Sequence, residues 1–149
     1  MTPREIEGRV EQFGQRCREA GLSLTPQRLT IYRALLESAD HPTPEALYSR
    51  VRPAVPSLSL ATIYKTLDTL AQLGLVAELP ATGSSRRFDG NMERHHHLVC
   101  TRCGRVSDFS DPGLDGIAPP SGIKGFTAQH LAIHVHGLCR ECGPGRAGH

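Results

Sequence analysis

The sequence predicts an α+β chain, a winged helix-turn-helix followed by a smaller α/β domain. Three observations predict it. Helix-spaced apolar stripes, opened by Thr or Ser caps, fill the first half. A pair of strand-like runs follows them. The second half carries short strand patterns between two Cys-x-x-Cys knuckles, Cys100-Thr-Arg-Cys103 and Cys139-Arg-Glu-Cys142.

Residues 3–20 place Ile6, Val10, Phe13 and Cys17 on one helical stripe, stopped by Gly21. On that stripe Cys17 reads as a small core residue. Thr25-Pro26 opens a second helix, because threonine caps free amides and proline is tolerated at the first helical position. Its buried face is Leu29, Tyr32, Leu35 and Leu36. Thr43-Pro44-Glu45 repeats the signal for a third helix through Leu47, Tyr48 and Val51, ended by Pro53 and Pro56. Ser59 caps a fourth helix with Ile63, Leu67 and Leu70 inward and Gly74 as its stop. Leu75–Leu79, a turn-rich 80–85 segment and Arg86-Arg87-Phe88 then read as a hairpin. This succession of helices before a hairpin is a DNA-reading arrangement.

In the second half, 95–100 and 105–109 are strand candidates separated by the first knuckle. Residues 127–138 alternate, with Leu131, Ile133 and Val135 facing one way and His130, His134 and His136 the other, as in a strand with one polar face. The Pro- and Gly-rich stretch 111–125 has room for at most a short helix. The tail after Cys142 reads as frayed.

The chain has 149 residues and a formal charge of +2, which gives little electrostatic steering and neither selects nor excludes nucleic acid. Two units of this size are each marginal, so a metal staple or dimerisation is expected to help. No apolar run is long enough to span a membrane, and the N-terminus lacks a signal-peptide pattern. These features favour a reducing cytoplasm, where paired knuckles hold metal as thiolates instead of forming disulfides. Four converging thiolates suit a closed tetrahedral Zn2+ site of structural type.

Ser59, Ala61, Thr62, Tyr64 and Lys65 form the exposed side of the candidate recognition helix. Small and hydroxyl side chains meet base edges and thymine methyls, and a lysine takes a phosphate or a guanine. Arg86 and Arg87 on the wing, and Arg28 near a helix start, are placed to reach the backbone. Taken singly, each is equally read as an ordinary solvated residue. A winged helix also serves in some proteins as a protein-binding module.

Five segments, in order and spacing, resemble the ferric uptake regulator (Fur) family. They are Thr25-Pro26-Gln27-Arg28, His41-Pro42-Thr43, Leu60-Ala61-Thr62-Ile63-Tyr64, His95 through Gly104, and Cys139-Arg140-Glu141-Cys142. The resemblance spans roughly residues 20–143. It implies a cytoplasmic homodimeric repressor that binds palindromic double-stranded DNA when loaded with metal. The expected division is 1–84 for DNA binding, 85–94 as hinge and 95–149 for metal binding and dimerisation. It places structural Zn2+ on Cys100, Cys103, Cys139 and Cys142, and a regulatory cation on His41, Asp89, His95, His97 and Asp108. Imidazoles and carboxylates suit Fe2+, Mn2+ or Zn2+ over a thiophilic metal. Aspartate at 108 with Asp89 upstream resembles the family's peroxide-sensing branch, in which bound iron leads to oxidation of a ligating histidine, by position His41 or His95. Control of iron, manganese or zinc uptake is the alternative within the family. His96, Asp115 and His130 match a further metal site of some relatives, although Arg94 replaces its first histidine. Relatives also carry a longer helix where this chain has Gly116-Ile-Ala-Pro119-Pro120-Ser-Gly122, so a shortened helix is expected. A zinc hydrolase is the rival from another class. The ligands outnumber what an open catalytic site needs, and no separate base stands out, so no enzyme is expected.

Overall fold

The computed structural model describes residues 1–79, 86–92, 95–128 and 131–143. It divides into two compact units, Met1–Met92 and Glu93–His149.

The first unit is built on four helices: α1 (Pro3–Glu19), α2 (Pro26–Glu37), α3 (Pro44–Val51) and α4 (Leu60–Gln72). Each starts where its cap residue stands. Thr2, Thr25, Thr43 and Ser59 accept from the backbone N–H three residues on, at 3.1–3.2 Å. Each bond satisfies one donor that a helix start leaves open, and a cap of this type stabilises by roughly 1 kcal/mol. α4 gives way at Gly74, whose φ of +72° is the left-handed turn that favours glycine.

The apolar stripes meet in one core. Ile6, Phe13 and Cys17 come from α1, Ile31, Tyr32, Leu35 and Leu36 from α2, Leu47 and Val51 from α3, and Ile63, Leu67 and Leu70 from α4. Val10, Leu29 and Tyr48 are only partly buried at its edge. Phe13 and Tyr32 pack edge to face, with ring centroids 5.1 Å apart. Burying one such side chain stabilises by roughly 1.5–3 kcal/mol, so this core outweighs any single surface contact. β1 (Ala77–Glu78) and β2 (Phe88–Asp89) pair antiparallel after α4. The expected hairpin is thus present but short, and its 80–85 turn lies outside the described residues.

The second unit is a three-stranded sheet in the order β4-β3-β5, formed by β3 (His96–Cys100), β4 (Val106–Phe109) and β5 (His134–Gly137). β3 pairs antiparallel with β4 and parallel with β5. One expectation is corrected: the strand foreseen over 127–138 is confined to His134–Gly137. Among the described residues β5 pairs with β3 alone, and β3 begins at His96. The bond from the His97 N–H to the Ile133 carbonyl is the last rung, and residues 127, 128, 131 and 132 lie outside the strand. The Pro/Gly-rich stretch contains only the one-turn helix α5 (Pro112–Asp115), capped by Asp111. No described helix is long and apolar enough to cross a membrane.

Candidate metal centres and nucleic-acid face

Strand pairing brings the two knuckles together. Cys100 ends β3, and Gly137, its register partner on β5, stands two residues before Cys139. The first knuckle turns tightly, with the Gly104 N–H donating to the Cys100 carbonyl at 2.9 Å. The second closes with the Cys142 N–H on the Cys139 carbonyl at 3.1 Å. All four sulfurs lie within 4.8 Å of one another, and Cys103 Sγ is 3.8 Å from Cys139 Sγ. Four sulfurs each roughly 2.3 Å from one tetrahedral Zn2+ stand about 3.8 Å apart, so the cluster has the dimensions of a zinc site.

The cysteines are free thiols and not disulfides. Backbone N–H groups of Cys103 and then Cys139 hold the Cys100 thiol down at about 6. The Cys142 thiol is pushed up to about 12, chiefly by its hydrogen bond with Cys139 and then by burial. One sulfur is thus ready as a thiolate, and its neighbour resists a second negative charge until a cation arrives. The donor set fits structural zinc.

The candidate regulatory ligands form two groups, one in each unit. In the first unit, buried His41 has Nδ1 3.6 Å from Oδ1 of buried Asp89 on β2. In the second, His95 and His97 fall on the same side of the chain, and His97 pairs with Asp108 across β3 and β4. Asp108 Oδ1 stands 3.3 Å from His95 Nε2 and 3.6 Å from His97 Nε2. The two rings meet edge to face at 4.7 Å. Each group offers only nitrogen and oxygen donors, the chemistry that fits Fe2+ or Mn2+. His134, not assigned to this set from the sequence, pairs with His97 across β3 and β5, with ring centroids 5.0 Å apart. Burial, then His97 and His136, hold its imidazole below the ordinary range. The alternation of 130–136 showed a histidine face, but the parallel register with β3 was not legible.

His96 points the other way and is fully buried. Its Nδ1 accepts from the Ile133 N–H at 3.2 Å, and its ring packs on Phe109 at 5.7 Å. Nε2 lies 2.9 Å from Asp115 Oδ1, off the line of a good hydrogen bond. Both ring nitrogens thus face protein atoms, so His96 clasps β3 to the chain around α5 and β5. His130 and Arg94 lie outside the described residues.

On the recognition helix α4, Ala61 and Lys65 are exposed, and Thr62 and Tyr64 are partly covered. Ser59 is committed to its cap, and its hydroxyl lies 2.9 Å from that of Thr62. Arg28 donates to the Ser23 carbonyl at 2.6 Å and lines a cleft of about 460 Å3 with Thr25, Thr62, Lys65 and Thr66. Basic and hydroxyl groups around one cleft are the chemistry of a phosphate track. The two wing arginines are engaged within the unit. Arg86 binds Glu78 at 2.7 Å and Asp68 at 3.2 Å, and Arg87 donates to the His41 carbonyl at 3.0 Å.

Comparison with known proteins gives a consistent picture. The model of the ferric uptake regulator family matches residues 19–136. The peroxide-responsive repressor PerR of Staphylococcus epidermidis is 37% identical over 138 residues, covering 92% of each chain. A Campylobacter jejuni peroxide stress regulator structure superposes with a TM-score of 0.62 at 29% identity, over 89% of this chain and 98% of that one. The Helicobacter pylori ferric uptake regulator shares the fold, with a TM-score of 0.75 at 22% identity over 92% of this chain and 93% of that one.

Proposed function

The chain belongs to the ferric uptake regulator family, and from that premise we propose that it is a metal-dependent repressor that senses peroxide through bound iron. Regulators of this family bind DNA and form dimers, and they are not enzymes. The residues divide the work as 1–84 for DNA reading, 85–94 as hinge and 95–149 for dimerisation. The homodimer works in the cytoplasm on a palindromic operator.

One exchangeable cation, Fe2+ or Mn2+, would be held by His41 and Asp89 from the first unit and His95, His97 and Asp108 from the second. The chain's own residues set the response. His41 rides on the reading unit and Asp89 on the hinge beside it, while the other three ride on the dimerising unit. Holding both groups at once fixes the angle between the two recognition helices of the dimer. That angle decides whether both enter major grooves a whole number of helical turns apart. A cation that prefers the held state raises DNA affinity by its differential affinity for that state. When bound, Fe2+ would supply the electron that splits hydrogen peroxide into hydroxide and a hydroxyl radical, and that radical would be the oxidant for a neighbouring imidazole. Oxidation of His41 or His95 then removes a donor and loosens the hold.

The observation that supports this most strongly is the sorting of donors. Four of the five thiols converge at one place, Cys17 is buried in the helical core, and the His/Asp groups contain no sulfur. That sorting separates a thiolate staple from a hard-donor switch. The test uses a DNA fragment selected for binding to the manganese-loaded protein. Peroxide should release it from the iron-loaded protein and not from the manganese-loaded one. Retention by both forms would instead favour control of metal uptake.

A further inference from the structure

We propose that Arg87 and Arg50 are positioning residues that hold His41 in a left-handed backbone conformation and so set the affinity for the regulatory cation. The proposal rests on the regulatory-cation reading above and assigns Arg87 a role other than DNA contact.

His41 has a φ of +49°, the only non-glycine residue with positive φ among the described residues. A histidine pays a steric penalty there that glycine does not, so surrounding contacts must enforce it. Pro42 follows directly and disfavours the right-handed helical alternative. The corner is then held from two sides. Arg87 Nη1 donates to the His41 carbonyl at 3.0 Å and reaches the Asp40 carbonyl at 3.5 Å. From α3, Arg50 grips both carboxylate oxygens of Asp40 at 3.0 and 2.8 Å, and the Ser38 hydroxyl at 2.7 Å.

Arg87 also stands two residues before Asp89, just ahead of β2, and its carbonyl accepts from the Leu79 N–H at 2.9 Å, which extends the hairpin by one rung. A single donor therefore ties the strand that carries Asp89 to the corner that carries His41. The consequence is visible in the buried His41 Nδ1 to Asp89 Oδ1 approach of 3.6 Å. A planar guanidinium can address two carbonyls or both oxygens of a carboxylate. Arg50 uses that fork on Asp40, whereas both Arg87 contacts come from Nη1, at a reach the shorter lysine stem does not reproduce.

The experiment measures the Mn2+ dissociation constant of the zinc-loaded full chain by competition with a fluorescent chelator. It compares wild type, Arg87→Lys, Arg87→Gln, Arg50→Gln and His41→Ala. Loss of an outer partner of a metal ligand typically weakens binding about 10- to 100-fold, and that is the effect expected for both Arg87 variants and, at the low end, for Arg50→Gln. At saturating Mn2+, Arg87→Lys should bind DNA as wild type does. Unchanged Mn2+ affinity in Arg87→Lys and Arg50→Gln overturns the proposal. So does loss of DNA affinity by Arg87→Gln at saturating Mn2+ with its Mn2+ affinity intact, since that is the behaviour of a phosphate contact. Should Arg87→Gln fail to fold, Arg87→Lys and Arg50→Gln decide. If His41→Ala binds Mn2+ as tightly as wild type, the regulatory-cation reading itself fails. If His41→Ala loses Mn2+ and the arginine variants do not, only the positioning role fails.

Discussion

The Tyr64 hydroxyl donates to Glu45 Oε1 at 2.5 Å, fastening the recognition helix α4 to the first turn of α3. This bond lowers the Glu45 pKa from its ordinary 4.5 and raises that of Tyr64 from 10.0. A lowered carboxylate contributes stability above its unfolded value and loses it as pH falls through the folded one. A raised phenol contributes below its unfolded value and loses it as pH rises through the folded one. Tyr64→Phe should therefore lower the urea midpoint slightly at neutral pH, since the pair is exposed. The difference should vanish well below pH 4.5 and at strongly alkaline pH.

Leu67, three residues along α4 from Tyr64, turns into the helical core and is 1% exposed. Leu67→Ala should cost about 2–5 kcal/mol of stability in urea denaturation. The lesion belongs to the helical core, so zinc content should stay at the wild-type level.

Zinc removal should act on the second unit. Cys103→Ser should abolish tightly held zinc and leave most of the helical circular dichroism signal, because α1 to α4 all lie in the first unit. Cys100 sits at about 6, so its thiolate is favoured in the folded zinc-free chain from the ordinary 9.0 down to that value, and the advantage is lost as pH falls through it. Calorimetry at neutral pH, in buffers of different ionisation enthalpy, should show zinc uptake releasing fewer protons than the four thiols could give, because the Cys100 thiol is already largely ionised.

Leu98 and Val135 are register partners on β3 and β5, and both are more than 40% exposed. Leu138, Ile123 and Phe126 add to the exposed apolar surface of this unit. Exposed apolar neighbours of this kind mark a contact surface, and the dimer seam is expected to lie on it. Leu98→Glu should shift the protein to monomer in sedimentation while retaining zinc.

The first unit was legible because its signals are local. Caps at Thr25, Thr43 and Ser59, and stripes such as Ile6, Phe13 and Cys17, are written within a few residues of where they act. The cysteine quartet was legible because knuckle spacing is itself the signal. What escaped depends on partners distant in sequence. The length of β5 is set by where β3 begins, and His134 meets His97 only through their register. Arg87 reads as a wing residue for DNA, and its bond to a carbonyl 46 residues away is a contact that local sequence does not show. The stretch 111–125 was rightly read as holding little helix, because proline and glycine act locally.

The most direct measurement titrates Mn2+ into wild type and His41→Ala while following binding to the selected DNA fragment. The account predicts that wild-type affinity rises with Mn2+ and that the His41→Ala curve stays flat. Superimposable curves would contradict it.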